Sequence, residues 1–170
     1  MGSAQTVLEL VAAARATAKV SEDRISEIQQ SLAPEHVTDA QREDLRAATV
    51  ALERAAVDLF SLFEARMQHH FRRGPFSRKL RSLLLEAGKT DLAERFHQYY
   101  LAINVLKHGK GASYRELLGA PTALVVLNPV ADPVDDTAPQ AIGLVDVNAP
   151  GFMDSLNATV VDAYHFFENK

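Results

Sequence analysis

Asn104 and His108 stand one helical turn apart near the end of a helical pattern, and a short basic loop, Gly109-Lys110-Gly111, follows them. Residues four apart on a helix point the same way, so an amide and an imidazole at this spacing can address one ligand. His97 and Tyr100 continue the stripe upstream. An imidazole titrates near neutrality and can serve as general acid or base. Gly109 and Gly111 let backbone amides approach a phosphate closely. Lys107 and Lys110 supply charge, while Ser113 and Tyr114 supply hydroxyls. Arg115 adds a further cation and, if the chain folds back, Arg78, Lys79 and Arg81 join it. The candidate catalytic pair is Asn104 and His108. The candidate ligand-binding set is Lys107, Gly109, Lys110, Gly111, Ser113, Tyr114, His97 and Tyr100. The plainer reading makes each cation part of a solvated face and the stripe a boundary between core and water. In that reading His108 only caps carbonyls at a helix end.

Other polar clusters say less. Gln68-His69-His70-Phe71-Arg72-Arg73 reads as a basic helix terminus complementing the macrodipole, although His69 and Arg73 could face one anion. No metal site is expected, because the chain has neither His-Glu-x-x-His nor any cysteine. Glu94-x-x-His97 and Asp162-x-x-His165 place a carboxylate and an imidazole on one helix face. A di-iron bundle wants two Glu-x-x-His motifs with further glutamates, and only one pair has that form. Asp132, Asp135 and Asp136 lack the glycine and closing glutamate of the standard calcium loop. Phosphate-loop and dinucleotide fingerprints are missing too, so no cofactor is expected.

At 170 residues, 47% hydrophobic and 24% charged, the chain fits a single globular domain over 1–170 with a substantial core. A net charge of −4 argues against a surface that attracts nucleic acid everywhere, but allows a local basic patch. The absence of cysteine fits a reducing cytoplasm. No apolar run is long enough for a membrane span, and Met1-Gly2-Ser3 lacks the basic start of a signal peptide.

The elements that must position the stripe follow from periodicity. Leu8, Val11, Ala14, Ala18, Ile25, Ile28 and Leu32 predict a helix over 5–32, stopped by Pro34. Thr38-x-x-Gln41 is a capping box that opens a second helix over 39–72, and the two form a long hairpin. Shorter helices fill 77–118. Ser77 caps the first of them and Gly88 stops it, Thr90 or Asp91 restarts the chain, and Ser113-x-x-Glu116 forms another capping box. Residues 123–147 hold two β-branched runs and predict a two-stranded hairpin, with an acidic, proline-bearing loop between the runs. A last helix covers 149–168. The predicted fold is mainly α, an up-and-down bundle with a small β-hairpin before the C-terminal helix.

A helical body with a long central hairpin, and a helix ending Asn104-x-x-Lys107-His108-Gly109, resembles HEPN-type domains over about residues 40–118 plus the final helix. These are bacterial and archaeal domains of toxin–antitoxin and defence systems. Many are homodimeric, metal-independent ribonucleases with an Arg, four to six intervening residues and then a His, and others bind nucleotides or partner proteins. The resemblance implies a cytoplasmic homodimer with its cleft at Asn104 and His108. Leu101, Ala102 and Ile103 stand where active members carry Arg, which implies a module with weak or no catalysis that binds RNA, nucleotide or a partner protein. The alternatives are a metal-independent endoribonuclease, with His108 as acid or base, and a structural homodimeric adaptor.

Overall fold

The computed structural model describes residues 6–33, 35–128 and 144–169. Among these the chain forms six helices: α1 (Val7–Ser31), α2 (Asp39–Gln68), α3 (Phe76–Glu86), α4 (Thr90–His108), α5 (Ala112–Gly119) and α6 (Phe152–Glu168). The fold is mainly α, and α1 and α2 form its most extensive packing pair. Each opens with a complete capping box. Thr6 and Glu9 exchange side-chain and backbone bonds at the start of α1, and Thr38 and Gln41 do the same at α2. Satisfying two otherwise orphaned amides reciprocally fixes both helix starts. Arg24 and Asp44, 3.1 Å apart, join the two helices across their exposed surface.

The second helix ends at Gln68, earlier than the predicted 72. Gln68 itself turns the chain, since its Nε2 donates to Gly74 O at 3.1 Å and its Oε1 accepts from Phe76 N at 2.9 Å. Gly74, at φ +80°, lets the backbone reverse. His69 is the C-cap residue of α2, so the cluster stands at the helix terminus as the sequence suggests; His70 follows in a turn, its ring 4.7 Å from Phe167.

One apolar core takes residues from all six helices. Its centre is aromatic. Phe60 and Phe63 of α2, Phe76 of α3 and Phe96 of α4 pack with ring centroids 5.3–6.4 Å apart, mostly edge to face. Such contacts add to the burial of large apolar surfaces. Tyr99 ties α4 to α6 by donating to Phe152 O at 3.2 Å, and burial raises its phenol above the ordinary value.

The predicted β-hairpin over 123–147 does not form among the described residues. Its two runs meet at a single antiparallel bridge between Leu127 and Val145, flanked by backbone bonds of 2.8 and 3.0 Å, and no strand develops. Val125, Val145 and Val147 are buried in the helical core. Their β-branched character serves tertiary packing, which a two-stranded ribbon cannot replace in water. The acidic residues Asp132, Asp135 and Asp136 lie outside the described residues. The last helix begins at Phe152 rather than 149, after Gly151 at φ +80°.

Candidate functional site

A cleft of about 310 Å³ opens where α3, α4 and α5 meet. It brings His97 and Tyr100 of α4 together with Ser113 of α5 and, from α3, Arg78 and Arg81. The chain does fold back onto its own basic segment. The local charge contrast is large. Residues 72–86 carry five Arg or Lys against one Glu, and residues 107–116 carry three against one, in a chain of net charge −4.

The way these helices begin shapes the cleft. Ser77 and Ser113 do not act as the caps that the sequence suggests. The cap positions are Pro75 for α3 and Gly111 for α5, and neither helix has a side-chain cap or an acidic residue in its first turn. The other four helices each place a carboxylate there: Glu9, Asp39, Asp91 and Asp154. The two starts that lack one both open into the same cleft. A helix N-terminus presents free amides and a partial positive charge, so these two attract an anion.

Ser113 and Glu116 are engaged elsewhere. Ser113 Oγ accepts from Asn104 Nδ2 at 3.3 Å, and Glu116 Oε1 lies 2.8 Å from His97 Nε2. This contact locks the imidazole, only 17% exposed, against the cleft wall. His97 and Tyr100 lie nearly parallel, at 22° with centroids 6.2 Å apart.

Two polar atoms of the lining residues are shut off from solvent without a partner at hydrogen-bond geometry. Ser77 is only 5% exposed, and its Oγ completes no hydrogen bond; neither does the buried Arg81 Nε. Buried polar groups are rarely left in that condition. The Ser77 hydroxyl stands near the Glu64 carboxyl of α2 without bonding it at hydrogen-bond geometry. Burial raises Glu64 above its ordinary 4.5, and the Lys107 charge and the Ser77 hydroxyl draw it partly back. This couples Lys107 of α4 electrostatically to Glu64 of α2.

The remaining sequence-predicted residues lie around this centre. Asn104 is half-buried and touches the site through Ser113. Lys107, His108 and Lys110 are exposed at the α4–α5 turn, outside the cleft lining. Gly109 ends α4 at φ +74° and donates to Val105 O at 2.8 Å; Gly111 N follows by donating to Gly109 O at 2.9 Å. Tyr114 packs into the core. Sequence reasoning missed the role of Ser77, Glu64 and the His97–Glu116 contact. The only advance signals were the helical phases of Ser77 and Glu116 beside the basic run.

Neither carboxylate–histidine pair offers a chelate. Glu94 accepts from Gln98, His97 meets Glu116, and Asp162 pairs with Arg95 at 3.2 Å. No group of three metal-ligating residues occurs among the described residues. A larger cavity of about 880 Å³ lies where the start of α4 meets the end of α6. Its Arg95 is already bound to Asp162 and Thr159, and Asp91 occupies the first turn of α4, so it suits an anion less well. No helix among the described residues is long and apolar enough to cross a membrane. Comparison with family models, with curated proteins and with solved structures gives no match to this chain.

Proposed function

We propose that this protein is a catalytically weak or inactive, HEPN-like module that binds RNA by gripping phosphate in the cleft between α3, α4 and α5. One observation carries the reading. The two helix starts that lack a cap and a first-turn carboxylate converge there, beside Arg78 and Arg81. Guanidinium groups and free amides are the donors that phosphate oxygens prefer. The exposed Lys107, Lys110 and Arg115 extend the positive field along the rim.

Weak catalysis follows from what surrounds the imidazoles. His108 is exposed and outside the cleft, His97 is held by Glu116, and Leu101, Ala102 and Ile103 are buried in the core. Those three aliphatic positions supply no arginine to stabilise a phosphate in a transition state. The cytoplasmic setting and the homodimer implied by the resemblance belong to this same reading.

Fluorescence anisotropy with a labelled single-stranded RNA, without divalent metal, tests it. The expected result is binding that weakens with salt, by about 0.7 in log affinity per log salt for each phosphate gripped. The RNA stays intact. Absence of binding at low salt would remove the proposal, and cleavage that disappears in His108→Ala would make the protein a ribonuclease instead.

A further inference from the structure

We propose that the α2–α3 turn is a second RNA contact, where a single strand leaving the cleft lays its phosphates on Arg72, Arg73 and Lys79 and stacks an unpaired base on His69; the proposal rests on the RNA-binding reading above. The first argument is where charge sits. Between Glu64 and Glu86 the chain carries six Arg or Lys and two His, and not one carboxylate. From Glu22 to Asp44, around the turn between α1 and α2, seven carboxylates outnumber two arginines. The net charge of −4 therefore conceals two oppositely charged ends. The 30 residues of α2 span about 45 Å between them. That is several times the screening length of about 8 Å at physiological salt, so the acidic end does not cancel the field of the basic one. A polyanion is drawn to the α2–α3 end.

The second argument is that these cations are free and held in one place. Elsewhere Arg15, Lys19, Arg24, Arg42 and Arg95 each pair with a carboxylate. Among the described residues Arg72, Arg73 and Lys79 make no ion pair, and all three are exposed. Gln68 fixes the turn that carries them by bonding Gly74 O and Phe76 N, at 3.1 and 2.9 Å. The Lys79 side chain lies over that turn, since a Cβ on Gly74 would come within 3.2 Å of its Cε. Lys79 is thereby brought back beside the segment of Arg72 and Arg73. Pro75, the next residue, lines the cleft, so the turn leads directly into it. An array held in place before binding costs little ordering entropy when a strand arrives.

The third argument comes from rings rather than charge. Phe71 and Phe167 of α6 are half-buried on the core, with centroids 5.7 Å apart. The His70 ring packs 4.7 Å from Phe167, and the His69 ring lies 3.9 Å from His70, tilted by 37°. Both imidazoles are exposed. The series thus runs outward from the core and ends at His69, next to the unpaired arginines. Unpaired bases stack on such rings, whereas bases inside a duplex cannot reach them. An acidic protein segment would use the cations but leave the imidazoles idle, so a polyanion that carries bases fits the turn better.

The test is fluorescence anisotropy with a labelled single-stranded RNA and with an abasic strand of the same length, each over a range of salt. Arg72→Ala combined with Arg73→Ala should lower the slope of log affinity against log salt by about 1.4 for both strands, two phosphate contacts being lost. His69→Ala should weaken binding of the intact strand about tenfold and leave the abasic strand unchanged, while His69→Phe keeps the wild-type affinity. All three side chains are exposed, so the variants keep the fold. An unchanged salt slope overturns the proposal and leaves the cleft reading standing. So does a His69→Ala loss that is equal for the two strands, which would make the turn a site for any polyanion, an acidic protein included. Failure of the unaltered protein to bind the intact strand at low salt overturns both readings.

Discussion

The α1–α2 hairpin and the α3–α5 quarter of the bundle pack on the same core but treat their helix starts in opposite ways. In the hairpin, Thr6 with Glu9 and Thr38 with Gln41 satisfy the first amides from within the chain, and Glu9 and Asp39 oppose the helix dipoles. In α3 and α5, Pro75 and Gly111 offer no side chain to those amides, and no carboxylate stands in the first turn. The hairpin spends its polar residues on stability. The other quarter leaves its first amides open toward a cleft, with two arginines beside them. Helices of similar packing thus differ in what their ends can do.

Removing the open donors should produce the largest effect. Arg78→Ala combined with Arg81→Gln is expected to weaken single-stranded RNA binding by at least about 100-fold, since each lost charge-assisted contact is worth about 1.5–3 kcal/mol. Neutralising Arg24 in the hairpin, which pairs with Glu27 and Asp44 at the surface, should leave that affinity unchanged. Equal losses in the two variants would erase the contrast.

Giving α5 the carboxylate that the other helices have sharpens it. Ala112→Asp occupies the first position of α5. It should stabilise the fold by about 0.3–1 kcal/mol through the dipole. The same charge should cut RNA affinity about tenfold by repelling phosphate at close range. Urea unfolding and anisotropy on one preparation read both changes. A gain in stability without a loss of affinity would place the phosphate elsewhere.

The reciprocal change in the hairpin is Thr38→Ala, which removes a capping box. It should cost about 1 kcal/mol of stability in urea unfolding and leave RNA binding untouched. The smallest effect belongs to Glu64. Burial raises its folded-state value above 4.5, so the folded state holds the proton more tightly than the unfolded chain does. Its favourable contribution is complete below the ordinary 4.5 and is lost as pH rises through the higher folded value. Glu64→Gln should therefore raise the melting temperature slightly at neutral pH, and the gain should vanish on acidification through the carboxylate range. A gain that persists at acid pH would assign the effect to packing instead.

Much of the framework was legible because it depends on local rules. The apolar period of α1, the Thr38 capping box, the stop at Gly88 and the end at Gly109 depend on nearby residues, and the predicted helices lie close to the observed ones. The cleft was half legible. Helical phase placed His97, Tyr100 and Asn104 on one stripe, and the basic run of α3 stood out by charge. Phase could not show that α3 turns back to meet α5, because that depends on Gln68 bridging to Gly74 and Phe76. Ser113-x-x-Glu116 and Ser77 looked like cap chemistry because short range was all the sequence offered. Tertiary partners took Ser113 and Glu116, and burial took Ser77. The strand reading failed for a related reason. Val125, Val145 and Val147 have the composition of a sheet but fill the side of a helical core.

The most direct test of the account is an amide ¹H–¹⁵N titration of the protein with the single-stranded RNA. The account predicts the largest shifts at Ser77, Arg78, Ala112 and Ser113, with Glu9 and Gln41 unmoved. Shifts centred on Lys89, Thr90 and Asp91 at the start of α4, or spread evenly along the basic surface, would contradict it.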